Sequence, residues 1–225
     1  MDNRSYARFP YFYYFCCMDD TCKTVTRLAE GYITERKSKF IAHIFPVKTT
    51  DEVKEILDAQ RKKYYDARHI CWAYMLGWER EESRSNDDGE PSGTGGKPIL
   101  GQINSAELTD VLITVVRYFG GTLLGTGGLI KAYKEAAADA IAHAEIVEKT
   151  VDDVIEIQFN YILLNDVMRV LKQFESAQWT QDFRESCSMR VQIRRSLSPQ
   201  LREMLSAIYG VEIRIQDSEF STQLS

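Results

Sequence analysis

The protein is a chain of 225 residues, of which 44% are hydrophobic and 27% are charged, and its formal net charge is -5. These proportions exclude a collagen, a coiled coil, a disulfide scaffold and a largely disordered chain, and they predict an ordinary globular protein. The net negative charge argues against a protein that coats nucleic acid with its whole surface. Any nucleic-acid binding is therefore expected at a local basic patch.

The sequence also indicates the cellular compartment. No apolar stretch approaches the roughly 20 residues of a membrane helix, so we expect no membrane role. The opening residues lack the basic start and the cleavage site of a signal peptide. Cys71 and Cys187 stand alone, and the other cysteines crowd near the N-terminus without a CxxC pair. This usage predicts a reducing cytoplasm.

Residues 1–23 are expected to be an irregular N-terminal extension. Their composition differs from the rest, with aromatic residues crowded into the first fifteen positions and neither a helical nor a strand period. Met18 is a natural alternative start, so we interpret residues 1–17 as an upstream extension.

Residues 24–148 predict a first domain of mixed strands and helices. Apolar runs and their periods indicate a strand pair from Thr24 that breaks near Lys37 and Ser38, a helix capped by Thr50, and two buried strands. A long polar loop separates those two strands from each other. In chain order these elements are a hairpin (24–47), a helix (50–64), a strand (68–78), a loop (79–98), a short helix (99–108), a strand (110–119) and an Ala-rich helix (129–147).

Residues 149–217 predict a second domain with the order βαββαβ, and residues 218–225 a frayed tail. The first strand covers 154–161, Asn165 is the expected cap of the next helix, and Ser198 with Pro199 opens the last helix. This order in about 70 residues is the ferredoxin-like plan. The predicted fold class is therefore α+β with two domains.

Two glycine-rich segments, SNDDGEPSGTGGKP and RYFGGTLLGTGGLIKAY, are the strongest functional signal. The second segment runs into a helix, where free backbone N–H groups and the helix dipole attract anions. Neither segment matches a dinucleotide fingerprint or a P-loop. An anion or nucleic-acid site and a purely structural strand-to-helix turn remain open as explanations.

Arg117 ends a strand just before this segment, so its guanidinium is expected to emerge at the loop mouth and to hold a phosphate or carboxylate. The structural alternative is an ion pair with Asp87, Asp88 or Glu90. The candidate ligand-binding residues of this anion cleft are Arg68, His69, Asp88, Glu90, Ser92, Thr94, Lys97, Arg117, Tyr118, Gly120, Gly121, Gly125, Gly127, Gly128 and Lys131.

Metal and nucleophile chemistry are poorly supported. His69 and Cys71 share one strand face, but His43 and His143 have no metal-type spacing relative to them. Cys71 lies in the apolar run ICWAYML and is expected to be a buried, inert thiol. No metal, cofactor or catalytic constellation is therefore expected.

Three motifs in order, RHICWAYMLG, DDGEPSGTGGKPIL and VVRYFGGTLLGTGGLIKAY, closely resemble the YigZ/IMPACT family. The resemblance implies that residues 24–148 are similar to the IMPACT N-terminal domain, whose fold resembles domain two of a small-subunit ribosomal protein and part of elongation factor G. Residues 149–217 are similar to the ferredoxin-like C-terminal domain of the bacterial members. Gly95 stands where the family has alanine.

The resemblance also implies a link to translation. Eukaryotic members regulate translation initiation by binding a coactivator of a stress kinase, a partner that is not carried over to this chain. Three functions stay open: a module that binds RNA, the ribosome or another phosphate-bearing partner through the glycine-rich loops, an enzyme acting on a small anionic substrate in the same cleft, and a protein–protein adaptor in translation control. For the enzyme, Asp88, Glu90 or His69 is the candidate acid or base.

Overall fold

The structure is a computed structural model that describes residues 20–174, 177–183 and 187–221. The chain divides into two compact units. The N-terminal unit contains residues 21–154 and the residues from 215 onward, and the C-terminal unit contains Asp20 and residues 155–214. No helix in the described part of the chain is long and apolar enough to cross a membrane.

The N-terminal unit is built on a five-stranded antiparallel sheet of order β2-β3-β6-β4-β5. Its elements are β1 (Thr21–Val25), β2 (Ala29–Glu35), β3 (Ser38–Pro46), α1 (Thr50–Lys63), β4 (His69–Leu76), β5 (Glu82–Asn86), α2 (Gly96–Ser105), β6 (Val111–Tyr118) and α3 (Gly125–Ala142).

Helices cover both faces of this sheet. Successive side chains of β6 point alternately to one face and to the other. Ile113 and Val115 pack under α2 and α3 in the main core, together with Phe40 and the fully buried Tyr133. Leu112 faces the opposite side in a smaller cluster with residues of α1. Side chains of odd-numbered β6 residues, including Arg117, therefore lie on the α2/α3 face, and even-numbered ones lie on the α1 face.

The sequence explains where several of these elements begin. Thr49, rather than the expected Thr50, caps α1, because its hydroxyl accepts a hydrogen bond from the Glu52 N–H at 3.2 Å. Arg36 and Lys37 both have positive φ, as a two-residue turn between β2 and β3 requires.

Several elements of this unit differ from the sequence prediction. The predicted first strand of the hairpin is divided into β1 and β2, and α2 covers Gly96–Ser105 instead of 99–108. The predicted loop 79–98 contains β5, an edge strand whose residues ESRSN are polar on both faces and so carry no apolar alternation. The Ala-rich helix covers Gly125–Ala142 instead of residues 129–147, so the GTGG sequence forms its first turn and residues 146 and 147 belong to the following strand.

The C-terminal unit has the predicted ferredoxin-like order. The second half of β7 (Ile146–Phe159) is followed by a 3₁₀ helix (Tyr161–Leu163), α4 (Leu164–Leu171), β8 (Gln178–Phe183), β9 (Cys187–Arg194), α5 (Ser198–Ser206) and the start of β10 (Glu212–Ser221), a strand that belongs to the N-terminal unit from residue 215. The second five-stranded sheet has the order β1-β7-β9-β8, and β10 also pairs with β7, so the elements from β7 to β10 follow the predicted βαββαβ plan. Asn160 caps the 3₁₀ helix, while the expected cap Asn165 lies inside α4.

The ends of both predicted domains fall in strands. Thr21 to Lys23, which were assigned to the leader, form part of β1, and β1 pairs antiparallel with Ile146–Thr150 of β7. The predicted boundary at residue 148 therefore lies inside a continuous strand, and the two units meet at Val154 and Ile155. Residues 218–221 of the predicted tail belong to β10. The leader residues 1–19 and the end 222–225 lie outside the described residues.

Candidate functional site

The first glycine-rich segment folds around the carboxylate of Asp87. The backbone N–H groups of Gly93, Gly95 and Gly96 donate to it at 2.7, 2.9 and 2.8 Å. Burial raises the pKa of Asp87, but these three donors together with the charge of Lys97 outweigh it and hold the pKa below its ordinary value. The ionised carboxylate thus organises the loop from within.

Asp88 fastens the same loop to the start of β4. Its carboxylate accepts from the Ile70 N–H and from the Arg61 guanidinium, both at 2.7 Å. Its backbone carbonyl lies 2.8 Å from Nδ1 of His69. Because both carboxylate oxygens are occupied, Asp88 has a structural role.

Arg117, Glu90 and Tyr133 form a buried polar cluster on the α2/α3 face of the sheet. The Arg117 guanidinium donates to Glu90 Oε1 at 2.5 Å, and the Tyr133 hydroxyl donates to the same oxygen at 3.0 Å. The side chains of Arg117 and Glu90 are only 8% and 3% exposed. Burial raises the pKa of Tyr133, which keeps its hydroxyl a neutral donor.

Of the three ion-pair partners that the sequence left open for Arg117, the structure selects Glu90. Arg117 is buried, so the expectation that its guanidinium emerges at the loop mouth is wrong. Its Nε, however, has no hydrogen-bond partner among the residues that the structure describes. The guanidinium carbon also lies 5.8 Å from the centre of the Phe119 ring, within the range of a cation–π contact.

The N-terminus of α3 has free backbone donors. Leu124 occupies the cap position, no side chain caps the helix, and its first turn contains no acidic residue. The first N–H groups of a helix have no partner within the helix, so here they remain available to a ligand. Gly125 has a φ of +70° and Gly121 one of +87°, which explains glycine at these two positions.

These elements enclose a cleft of about 460 Å³. Five of the predicted site residues line it, namely Arg68, His69, Glu90, Arg117 and Gly125. The remaining lining residues, which the sequence did not single out, are Pro91, Phe119, Leu123, Leu124, Thr126 and Leu129. The cleft therefore combines a charged, hydrogen-bonding side with an apolar side.

The other predicted residues do not line the cleft. Tyr118 lies on the opposite sheet face and donates to Asp66 at 2.8 Å. Thr94 is buried and donates to the Pro91 carbonyl at 2.6 Å, and Lys131 lies 3.8 Å from Glu135. Gly120 donates its N–H to Ser38 Oγ. Ser92, Lys97, Gly121 and Gly127 are exposed, and Gly128 is half-buried in the first turn of α3.

Sequence reasoning missed the apolar half of the site. Phe119 and Leu123 are 46% and 82% exposed, which is unusual for such side chains beside a buried strand. In the sequence these two residues follow the apolar run of β6, and nothing distinguishes them from residues of the hydrophobic core. Cys71 is buried as predicted, and burial raises the pKa of its thiol to about 12. Within the described residues no group of His, Cys, Asp and Glu side chains could hold a metal ion.

Comparison with known proteins identifies relatives of the chain. Residues 36–141 match the model of the Impact N-terminal domain. The chain is 36% identical over 150 residues to the IMPACT family member YvyE of Bacillus subtilis, covering 67% of this chain and 69% of that protein. It is 33% identical over 158 residues to YigZ of Escherichia coli K12, with coverage of 69% and 78%.

A solved structure described as that of a hypothetical protein covers 89% of this chain and 98% of its own, with a TM-score of 0.62 and 26% identity. Residues 36–141, which match the Impact N-terminal domain, include the loop around Asp87, β6 and the first turn of α3. The family match therefore covers every residue that lines the cleft. The chain therefore belongs to the IMPACT family.

Proposed function

We propose that the protein is a cytoplasmic, translation-linked regulatory protein that binds RNA, the ribosome or another phosphate-bearing partner at the cleft. The link to translation rests on membership of the IMPACT family, whose eukaryotic members act in translation control. The binding part rests on the geometry of the cleft itself.

One observation carries the binding proposal: the uncapped N-terminus of α3 and two arginines meet at the same cleft. Arg68 is exposed, and no carboxylate in the described part of the chain pairs with it. Arg117 is buried, and its Nε–H has no partner within the described part of the chain. Positive charge and free backbone donors at one place are the usual composition of a phosphate site.

The contributions of the two arginines differ. Glu90 neutralises Arg117 across 2.5 Å, so the pair adds little net charge to the cleft. Arg68 and the N–H groups of the α3 first turn therefore supply most of the attraction for an anion. This corrects the emphasis on Arg117 that the sequence suggests.

Replacement of Arg68 tests the proposal. We expect Arg68→Ala to weaken binding of a short single-stranded RNA three- to tenfold, to reduce the slope of log K against log salt by about one, and to leave the melting temperature unchanged. Arg84→Ala is the matched control, because Arg84 is also exposed but pairs in register with Tyr74 on the α1 face. Equal binding by wild type and both variants would contradict the proposal.

An enzyme acting on a small anionic substrate remains the second candidate, supported by His69. The two carboxylates that the sequence offered as acid or base are both committed to structural contacts, Asp88 to Ile70 and Arg61 and Glu90 to Arg117. His69 lines the cleft, and its second ring nitrogen has no hydrogen-bond partner among the described residues. Turnover of phosphate esters that disappears in His69→Gln would support this candidate over simple binding.

A further inference from the structure

His69 lines the cleft, and its contact with the loop at Asp88 determines which of its two ring nitrogens is a hydrogen-bond acceptor. Its Nδ1 lies 2.8 Å from the backbone carbonyl of Asp88. A carbonyl can only accept, so Nδ1 carries the proton, and Nε2 of the neutral ring is an acceptor. The residues that the structure describes supply no hydrogen-bond partner for Nε2.

The other groups of the cleft complement this acceptor. Arg68 and the first turn of α3 are donors suited to a phosphate. Phe119 presents a partly exposed ring on which a base can stack. The cleft volume of about 460 Å³ lies within the usual range for one small-molecule ligand, so one nucleotide unit fits it.

The buried side chain of Arg117 is a second, independent indication that a ligand binds beside the N-terminus of α3. The Arg117 side chain is more than nine-tenths buried and lines the same cleft, and no described residue offers its Nε a hydrogen-bond partner. A buried N–H of this kind costs free energy unless a ligand or water satisfies it. The α3 N-terminus and the Arg117 side chain, which belong to two different elements, thus line the same cleft.

We propose that the cleft seats one nucleotide of single-stranded RNA and distinguishes it from DNA, because His69 Nε2 accepts a hydrogen bond from the ribose 2′-hydroxyl. This rests on the proposed binding function and names its ligand. In DNA the hydroxyl is missing, so the His69 acceptor loses its partner while the phosphate and base contacts remain. The protein can therefore bind a single strand without distinguishing ribose from deoxyribose, so binding and this preference are tested separately.

The test compares three 12-residue oligomers with identical bases: oligouridine, oligodeoxyuridine and 2′-O-methyl oligouridine. We expect the full-length protein to bind oligouridine about three- to tenfold more tightly than either of the others, as for the loss of one hydrogen bond. The 2′-O-methyl oligomer keeps the RNA-like sugar but cannot donate, so it separates the hydroxyl from sugar shape.

Two variants assign the effect to His69. His69→Phe should bind all three oligomers equally, and His69→Gln, whose amide oxygen can stand near the position of Nε2, should restore part of the preference for oligouridine. If wild type binds the three oligomers equally, the inference is wrong although the proposed binding function stands. If it binds none of them, the proposed RNA binding fails as well. Should His69→Phe not fold, the 2′-O-methyl comparison on wild type decides alone.

Discussion

Arg117 and Glu90 neutralise each other in the interior of the N-terminal unit, with Tyr133 as a second donor to the same carboxylate oxygen. A buried ion pair of this kind adds little net stability, but removal of one partner leaves the other charge buried and unpaired. Arg117 is therefore expected to be necessary for folding whether or not it also contacts a ligand.

We predict that Arg117→Ala lowers the free energy of unfolding by about 3–5 kcal/mol, the usual cost of breaking a buried pair. Urea unfolding measures this loss. The double variant Arg117→Met with Glu90→Leu should recover most of the stability, because no unpaired charge remains. A single variant as stable as wild type would contradict the pairing, and unchanged RNA affinity in its folded fraction would assign Arg117 a structural role alone.

His43 is a second buried titratable residue, and it lies on the α1 face of the sheet. Its Nε2 is 2.9 Å from the Tyr64 hydroxyl and 3.5 Å from the exposed Glu30 carboxylate. Burial lowers the pKa of His43, and Lys63 lowers it further, while Glu30 acts in the opposite direction. The native state therefore favours the neutral ring.

Acid should consequently destabilise the protein through His43. The unfolded chain binds a proton near the ordinary histidine pKa of about 6.5, whereas the native state binds it only at lower pH, so the free energy of unfolding falls as pH drops below that value. Denaturant melts at pH 7.5 and 5.5 measure the loss. His43→Gln should lose less than wild type, and His143→Gln, which replaces an exposed histidine, should behave as wild type.

At the scale of the elements, the glycines after β6 differ in what they do for the backbone. A Cβ on Gly120 would collide with the backbone of Lys37 and Ser38, so this glycine allows two chain segments to pack closely. A Cβ on Gly127 would meet nothing within 4 Å, and its φ is not in the left-handed region. The structural explanation of the glycine-rich segment therefore accounts for Gly120 but not for Gly127.

Alanine substitution separates the two cases. Gly120→Ala should destabilise the protein by at least about 1 kcal/mol, and Gly127→Ala should stabilise it by about 0.4–1 kcal/mol, because alanine restricts the unfolded chain and favours a helix. Thermal melts measure whether each variant is less or more stable than wild type. Loss of RNA affinity in a stabilised Gly127→Ala protein would show that the position is kept open for a ligand.

The elements with a clear apolar period are predictable from the sequence, and those without one are not. Val53, Ile56 and Leu57 repeat at helical spacing and lie in α1, and the apolar runs at 69–76 and 111–118 form β4 and β6. The edge strand β5 was missed because it has no buried face. The start of α3 was placed four residues late because glycine disfavours helices in general.

The site was half predictable for a related reason. Arg68, His69, Glu90 and Arg117 were found because polar residues next to glycine-rich loops indicate binding. Pairing of Arg117 with Glu90, rather than with Asp87 or Asp88, depends on loop geometry that three backbone donors to Asp87 impose. No local pattern encodes such a choice.

At the scale of the whole chain, the described N-terminal residues participate in the fold. Asp20 is buried and accepts a hydrogen bond from the Ser196 hydroxyl at 2.6 Å, and β1 follows directly with five residues. Asp20, the first residue that the structure describes, lies two residues after Met18, the alternative start that the sequence suggests.

Two truncations test where the necessary sequence begins. A chain that starts at Met18 keeps Asp20 and all of β1, and we expect its melting temperature to equal that of the full chain. A chain that starts at Thr24 loses Asp20 and three of the five β1 residues, and it should melt several degrees lower. A lower melting temperature for the first truncation would show that residues 1–17 contribute to stability.

The pairing of β1 with β7 joins residues 21–25 to residues 146–150, so more than 120 residues separate the partners. During synthesis at about 5–20 residues per second, β1 leaves the ribosome on the order of ten seconds before its partner exists. Because β7 continues into the C-terminal unit, that partner strand is also the first strand of the second unit. The nascent chain therefore carries an open strand edge at β1 until the ribosome has passed residue 150.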